Sequence, residues 1–239
     1  MIARRPFPEG TGIFETLRTE DGRVAELTRH MRRAKKSADE IGIAMPDEEI
    51  LRSEIDASLT LEPFKLGRLR ICISEKGFVI THDAYEEIET LARLTFHSTS
   101  TTASGPQIKS YPYDWNYSVL DTARDYGFDD AILFNTANKV TETAISNIVF
   151  KIDDNWITPP ITAGILPGIM RAIAIERCGV MVRDIHISEI AEVEEALLLS
   201  SLKIAQPVSH IGDFAMQLAP AVLELEAKIR ASVEYFSVR

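Results

Sequence analysis

The residues best placed to do chemistry lie in one stretch, "NKVTETAISNIVFKIDDNWITPPITAGILPGIMR", at positions 138–171. Glu142 sits there on a short segment that reads as the edge of a strand. A carboxylate in that setting can keep a ring nitrogen protonated by ion pairing. Further on, a loop punctuated by Pro167 and Gly168 opens a helix. The free N–H groups of a helix's first turn and its dipole attract an anion. Gly168 lets the backbone approach closely, and the N–H groups of Ile169 and Met170 would point at a phosphate. Taken singly, these features also read as a solvent-facing glutamate and an ordinary loop-to-helix junction. A molecule that carries both a basic aromatic ring and a phosphate is pyridoxal 5'-phosphate (PLP), whose ring accepts the electron pair left when a bond at a substrate's Cα breaks.

Other residues could complete such chemistry. His30 and Arg33 stand at i and i+3 and share a helix face. An arginine can fork onto two phosphate oxygens, but Arg29 and Arg32 flank the same face and periodicity does not choose among the three. Ser200 and Ser201 follow the apolar run "EALLLSS", and hydroxyls at a strand's carboxyl end face the ligand crevice in many α/β folds; a pair of turn serines reads the same way. Lys109, in "QIKSYPYD", could bond to an aldehyde cofactor, and burial would free its amine for proton transfer. An exposed lysine is the plainer alternative, and residue physics alone does not separate Lys109 from the other lysines.

Composition narrows the class. The chain has 239 residues, 45% of them hydrophobic, which suits one large or two modest domains with a real core. The net charge of −10 argues against a nucleic-acid partner. It also means that an anionic ligand needs local arginines to hold it. No apolar run reaches the length of a membrane span. The opening "MIARRPFPEG" has two arginines without an apolar stretch behind them, unlike a secretory leader. Cys72 and Cys178 read as buried free thiols, which fits a cytoplasmic location. No metal-ligand pattern stands out.

The elements that must position these residues follow from periodicity. "GIFETLRT", the Asp-Gly turn "EDGR" and "VAEL" predict a hairpin. Thr28 is a candidate cap for a helix on which Leu27, Met31, Ala34, Ala38 and Ile41 recur, with Gly42 as its stop. A second helix is expected from Pro46, and "GRLRICISE" with "FVITHD" predicts another hairpin. "LARLTFHS" is a further strand. The polar stretch "STSTTASGP" at 98–106 reads as an interdomain linker, which gives a small domain 1–101, a linker 102–106 and a larger domain 107–239. The second domain is expected to hold a helix at "YSVLDTARDYG", strands at "DAILFN", "NIVFKI", "VMVRDIHI" and "EALLLSS", a helix at "GIMRAIAIERCG" and a closing helix from Pro220.

Together these blocks resemble the class IV (fold type IV) PLP-dependent aminotransferases, the family of branched-chain and D-amino-acid aminotransferases and 4-amino-4-deoxychorismate lyase. The likeness runs from near the start to about residue 210. "GIFETLR" with "ELTRHMRRAKKSADEIGI" resembles the family's opening, and implies that Arg33 binds the cofactor phosphate. "VTETAISNIVFKI" is similar to its Glu-x-x-x-Ser-Asn block, and implies that Glu142 meets the pyridine nitrogen. "TPPITAGILPGIMR" implies phosphate contacts at Gly168, Ile169 and Met170, and "LLLSSLKIAQPV" implies the same for Ser201 and Leu202. The family's cofactor-bonding, catalytic lysine lies just past the interdomain linker, which implies Lys109. Departures are present. "PEGTG" replaces the usual opening strand and Gly-Asp-Gly. Tyr111, Tyr113 and Tyr117 all compete for the family's tyrosine near the lysine. Arg68 and Arg70 share one face of a strand without showing which face.

The resemblance implies a two-domain α/β fold, PLP as cofactor, a small amino substrate and a homodimer. Chain length and the look of "FETLRTEDGRVAELTRH" and "FDDAILFNTANKVTETAISNIV" point within the family toward the lyase, which releases pyruvate and leaves 4-aminobenzoate. A transaminase acting with a 2-oxo acid acceptor is the alternative. A non-catalytic binding module is the third reading, disfavoured by the joint presence of Lys109, Arg33 and Glu142.

Overall fold

A computed structural model describes residues 6–102 and 104–238. Arg4 and Arg5 of the opening segment, Ala103 of the expected linker and the final Arg239 lie outside the described residues. The chain forms two compact units. The first comprises residues 1–87, 108–113 and 233–239, and the second comprises 88–107 and 114–232.

The first unit is built on a six-stranded sheet. Strand Gly12–Glu20 turns through Asp21 and Gly22, both at positive φ, into Arg23–Ala25. That is the conformation an Asp-Gly hairpin turn favours. On its other edge Gly12–Glu20 pairs antiparallel with Leu66–Ser74, which pairs with Gly77–Ala84. Helices Leu27–Ile41 and Glu48–Leu61 supply Leu27, Ala34, Ala38, Leu51, Ile55 and Leu59 to a core shared with Ile13, Leu17, Leu69, Ile71 and Ile73.

Three local expectations differ here. Thr28 does not cap the first helix: Glu26 is the N-cap, in a left-handed conformation, and its backbone N–H donates to the carbonyl of Glu234. The buried stripe of that helix includes His30 and Ser37, whereas Ile41 is exposed at the helix end. Gly42 does stop the helix, its N–H donating to Ala38 O. The second helix opens at Asp47, whose carboxylate accepts from the N–H groups of Glu49 and Ile50, as an N-cap should. Pro46 lies just outside it.

The second unit carries a nine-stranded mixed sheet. Strand Asn147–Ile152 pairs antiparallel with Asn155–Thr158 and with Glu195–Ser200, which continues to Ile204–Ile211. Ala92–Phe96 then runs parallel to both Ile204–Ile211 and Asp130–Phe134, and Val140–Thr143 follows. Ala92–Phe96 is therefore a strand of this sheet, so the chain first passes between the units at Glu87–Ile88 and crosses again at Gln107–Ile108, just after the polar stretch read as a linker. Helices Asp114–Asp125, Ile169–Cys178 and Pro220–Ala231 belong to this unit. The first of them starts three residues before the expected "YSVLDTARDYG". Its core gathers Ile132, Val140, Ile148, Phe150, Ala196, Leu198 and Val208. The expected strand at 180–187 shrinks to the exposed Met181–Val182, because only those residues pair with Ile157 and Thr158 before the chain leaves the sheet edge. Cys72 and Cys178 are buried free thiols. No helix among the described residues is long and apolar enough to cross a membrane.

Candidate active site

The residues implicated by the sequence fall into two groups, one in each unit. In the first unit, Glu15 points from strand Gly12–Glu20 toward helix Leu27–Ile41. Its carboxylate accepts from Arg33 at both oxygens, Nε to Oε1 at 2.8 Å and Nη2 to Oε2 at 2.6 Å. Oε2 is also 2.7 Å from His30 Nδ1. All three side chains are buried or nearly so. Burial alone would raise the Glu15 carboxyl, but Arg33 and His30 reverse this and hold it at about 2. His30 is pushed below its ordinary value by burial, against the pull of Glu15, so its ring is neutral at pH 7. Arg33 is thus a fixed buried cation rather than one of three solvated arginines. That role depends on Glu15, which residue type and spacing alone do not reveal.

Lys109 precedes the short strand Ser110–Tyr111, which pairs with the start of Gly12–Glu20. Its carbonyl accepts from Phe14 N at 2.8 Å, and its Nζ stands 4.5 Å from the centre of the Phe14 ring and 5.3 Å from that of Tyr113. Of the candidate tyrosines in this unit, Tyr113 is beside the amine. Tyr111 is packed away, its ring stacked on Phe7. Arg68 and Arg70 lie on the face of the sheet opposite Glu15, cross-strand from Arg18 and Thr16. Arg68 pairs with Asp83 at 3.1 Å, and Arg70 stacks over Phe7.

In the second unit, one end of the sheet collects the remaining residues. Glu142 lies on Val140–Thr143. Its Oε2 accepts from Asn147 Nδ2 at 2.9 Å, and its Oε1 from the backbone N–H of Leu166 at 3.1 Å. The turn between the two strands is pinned by the fully buried Asp130, which accepts from Thr143 Oγ1 at 2.8 Å and Ala144 N at 3.0 Å. Burial raises the Asp130 carboxyl, opposed by the charge of Lys203. Gly168 is the N-cap of Ile169–Cys178 and, lacking a side chain, leaves the first-turn N–H groups of Ile169 and Met170 without a side-chain cap. Ser201 and Leu202 form the turn after Glu195–Ser200, whose Leu199 is the cross-strand partner of Asn147. Hence Glu142, Asn147, the helix start and the Ser201–Leu202 turn share one end of the sheet.

This donor set fits PLP chemically. A held carboxylate suits a protonated ring nitrogen, and an uncapped helix start suits a phosphate.

Comparison with known proteins agrees. The family profile described as amino-transferase class IV matches residues 12–211. The chain belongs to this family. It is 25% identical over 240 aligned positions to an aminodeoxychorismate lyase of Vibrio harveyi, which spans 88% of this chain and 87% of that protein. In fold it is similar to a Legionella pneumophila protein described as a candidate 4-amino-4-deoxychorismate lyase, with a TM-score of 0.85, 22% identity, and 92% and 91% of the two chains covered. It is similarly close to a hypothetical aminotransferase of Mycobacterium tuberculosis solved in its PLP-bound form, with a TM-score of 0.81, 20% identity, and 92% and 88% covered. The fold is thus the two-domain α/β fold of class IV aminotransferases.

Proposed function

We propose that this protein binds PLP and acts as a 4-amino-4-deoxychorismate lyase, yielding 4-aminobenzoate and pyruvate for folate synthesis. The observation that carries the cofactor assignment is the Glu142 carboxylate, gripped at both oxygens beside the uncapped start of helix Ile169–Cys178. When bound, the cofactor supplies a protonated pyridine ring that takes up the electron pair released at the substrate carbon bearing the amino group. Glu142 keeps the proton on the ring nitrogen. The family resemblance assigns the phosphate to the Arg33 guanidinium, to the N–H groups of Ile169 and Met170 beside Gly168, and to the Ser201–Leu202 turn. Lys109 Nζ would hold the cofactor at its aldehyde and would serve as the group that takes up and returns the proton at the substrate carbon. Tyr113, next to that amine, is the tyrosine we assign to the cofactor's ring oxygen.

The lyase reading is favoured by the Vibrio harveyi relative, which aligns along most of both chains. The same residues would serve a transaminase using a 2-oxo acid, and the likeness to the Mycobacterium tuberculosis aminotransferase keeps that reading open to test. We further assign a homodimer acting in the cytoplasm, as the family resemblance and the buried thiols suggest. The deciding experiment supplies the purified, PLP-loaded protein with enzymatically made aminodeoxychorismate and follows 4-aminobenzoate and pyruvate. Equimolar release of both is the expected result. No release, together with amino transfer from a common amino acid to 2-oxoglutarate or pyruvate, would promote the transaminase.

A further inference from the structure

Asn147 links the two ends of the proposed cofactor seat. Its amide nitrogen has two hydrogens and faces two acceptors, Glu142 Oε2 at 2.9 Å and the Leu166 carbonyl at 3.1 Å. Because both neighbours only accept, the NH2 group must be the part that faces them. The backbone N–H of Leu166 returns to Glu142 Oε1 at 3.1 Å, closing a ring of three contacts among Glu142, Asn147 and Leu166. Two residues on, Gly168 N donates to Leu166 O at 2.8 Å. The other half of the amide meets the helix start directly. A Cβ built on Gly168 would lie 1.8 Å from Asn147 Oδ1 and 3.0 Å from its Cγ, far inside contact distance. Asn147 is 5% exposed and sits on a strand paired on both sides, so it has little room to yield.

Resting on the PLP reading above, we infer that Asn147 is a positioning residue that sets the Glu142 carboxylate and the helix that opens at Gly168 at a fixed spacing, so that one amide couples the ring-nitrogen contact to the phosphate seat. Gly168 is required at that position chiefly because Asn147 Oδ1 fills the place of its side chain. Arg171 in the first turn of the same helix is itself fixed, its guanidinium donating to Thr158 Oγ1 at 3.2 Å and the Pro159 carbonyl at 2.6 Å. Asn147 touches neither the phosphate nor the ring in this assignment; it acts through Glu142 and the loop.

The test is a double-mutant cycle on the full chain, reading PLP dissociation by equilibrium dialysis and the pH dependence of the bound cofactor's absorbance band. Asn147→Ala and the near-isosteric Asn147→Asp should each weaken PLP binding by about tenfold or more, as loss of a hydrogen bond to a charged group does. Asn147→Asp places a second carboxylate against Glu142. Asn147→Ala, which strips a donor from the Glu142 carboxylate, should displace the pH midpoint of the absorbance band in the direction produced by Glu142→Gln, which a purely structural residue would not do. Gly168→Ala should weaken PLP about tenfold or more in the native background. In the Asn147→Ala background it should cost little more, because the colliding oxygen is gone. Equal costs of Gly168→Ala in the two backgrounds would overturn the inference. So would native PLP affinity in whichever Asn147 variant folds, or an unmoved pH midpoint in Asn147→Ala. If the native chain itself fails to bind PLP, the functional reading falls and takes this inference with it; native binding with indifferent Asn147 variants removes the inference alone.

Discussion

Glu15 and Arg33 meet through a forked pair of hydrogen bonds, Nε to Oε1 at 2.8 Å and Nη2 to Oε2 at 2.6 Å, inside the first unit. The pair fixes the plane of the guanidinium, so the arginine is held before any ligand arrives. Breaking a buried pair from one side leaves an uncompensated charge and costs about 3–5 kcal/mol. Glu15→Gln should therefore lower unfolding free energy by about that amount in urea titrations of the apoprotein. A loss under about 1 kcal/mol would mean that Arg33 finds other support.

The same pair sets an acid limit on stability. The Glu15 carboxyl is held at about 2, below its ordinary 4.5. A depressed carboxyl contributes stability that is fully present above pH 4.5 and is lost as pH falls toward 2, a contribution on the order of 3 kcal/mol. His30 is lowered as well, so its protonation begins to oppose folding below its ordinary 6.5. Carbon-13 NMR of glutamate carboxyls should show one signal with a midpoint near 2 that disappears in Glu15→Gln. A Glu15 signal titrating near 4.5 would contradict the geometry.

Arg33→Ala should weaken PLP affinity, in addition to destabilising the apoprotein by leaving the buried Glu15 carboxylate without its partner. A charge-assisted hydrogen bond contributes about 1.5–3 kcal/mol, equivalent to roughly ten- to a hundredfold in dissociation constant. Ser201→Ala should act in the same direction, more mildly. Equilibrium dialysis reads both, and native affinity in Arg33→Ala would remove the arginine from the phosphate seat.

Glu142→Gln should keep the fold and much of the PLP binding but slow turnover by roughly 10²–10⁴-fold, the usual contribution of an electrostatic or acid–base group at a reacting centre. Steady-state rates with saturating PLP test this. A variant turning over at the native rate would mean that Glu142 does not face the ring.

Much of this architecture is legible in the sequence, for identifiable reasons. The hairpin around Asp21–Gly22 is local, since two residues at positive φ dictate it. Glu142 and Gly168 stand out because a strand-edge carboxylate and a glycine opening a helix each have a chemical meaning. What stays hidden depends on distant partners. The cap of the first helix is Glu26 because residue Glu234 meets it. Glu15 becomes part of the site only once strand alternation and helix packing aim it at Arg33. Asn147 lies within the quoted "AISNIV" segment, but its meaning needs Leu166 and Gly168 folded back onto it. Ala92–Phe96 is recognisable as a strand, yet only its pairing with Asp130–Phe134 assigns it to the second unit.

The central claim is that Lys109 carries the cofactor in a PLP enzyme. Reduction of the PLP-saturated protein with borohydride, followed by peptide mapping, tests it most directly. The account predicts a pyridoxyl group on Lys109 and on no other lysine. Label on another lysine, or none on a saturated sample, would contradict it.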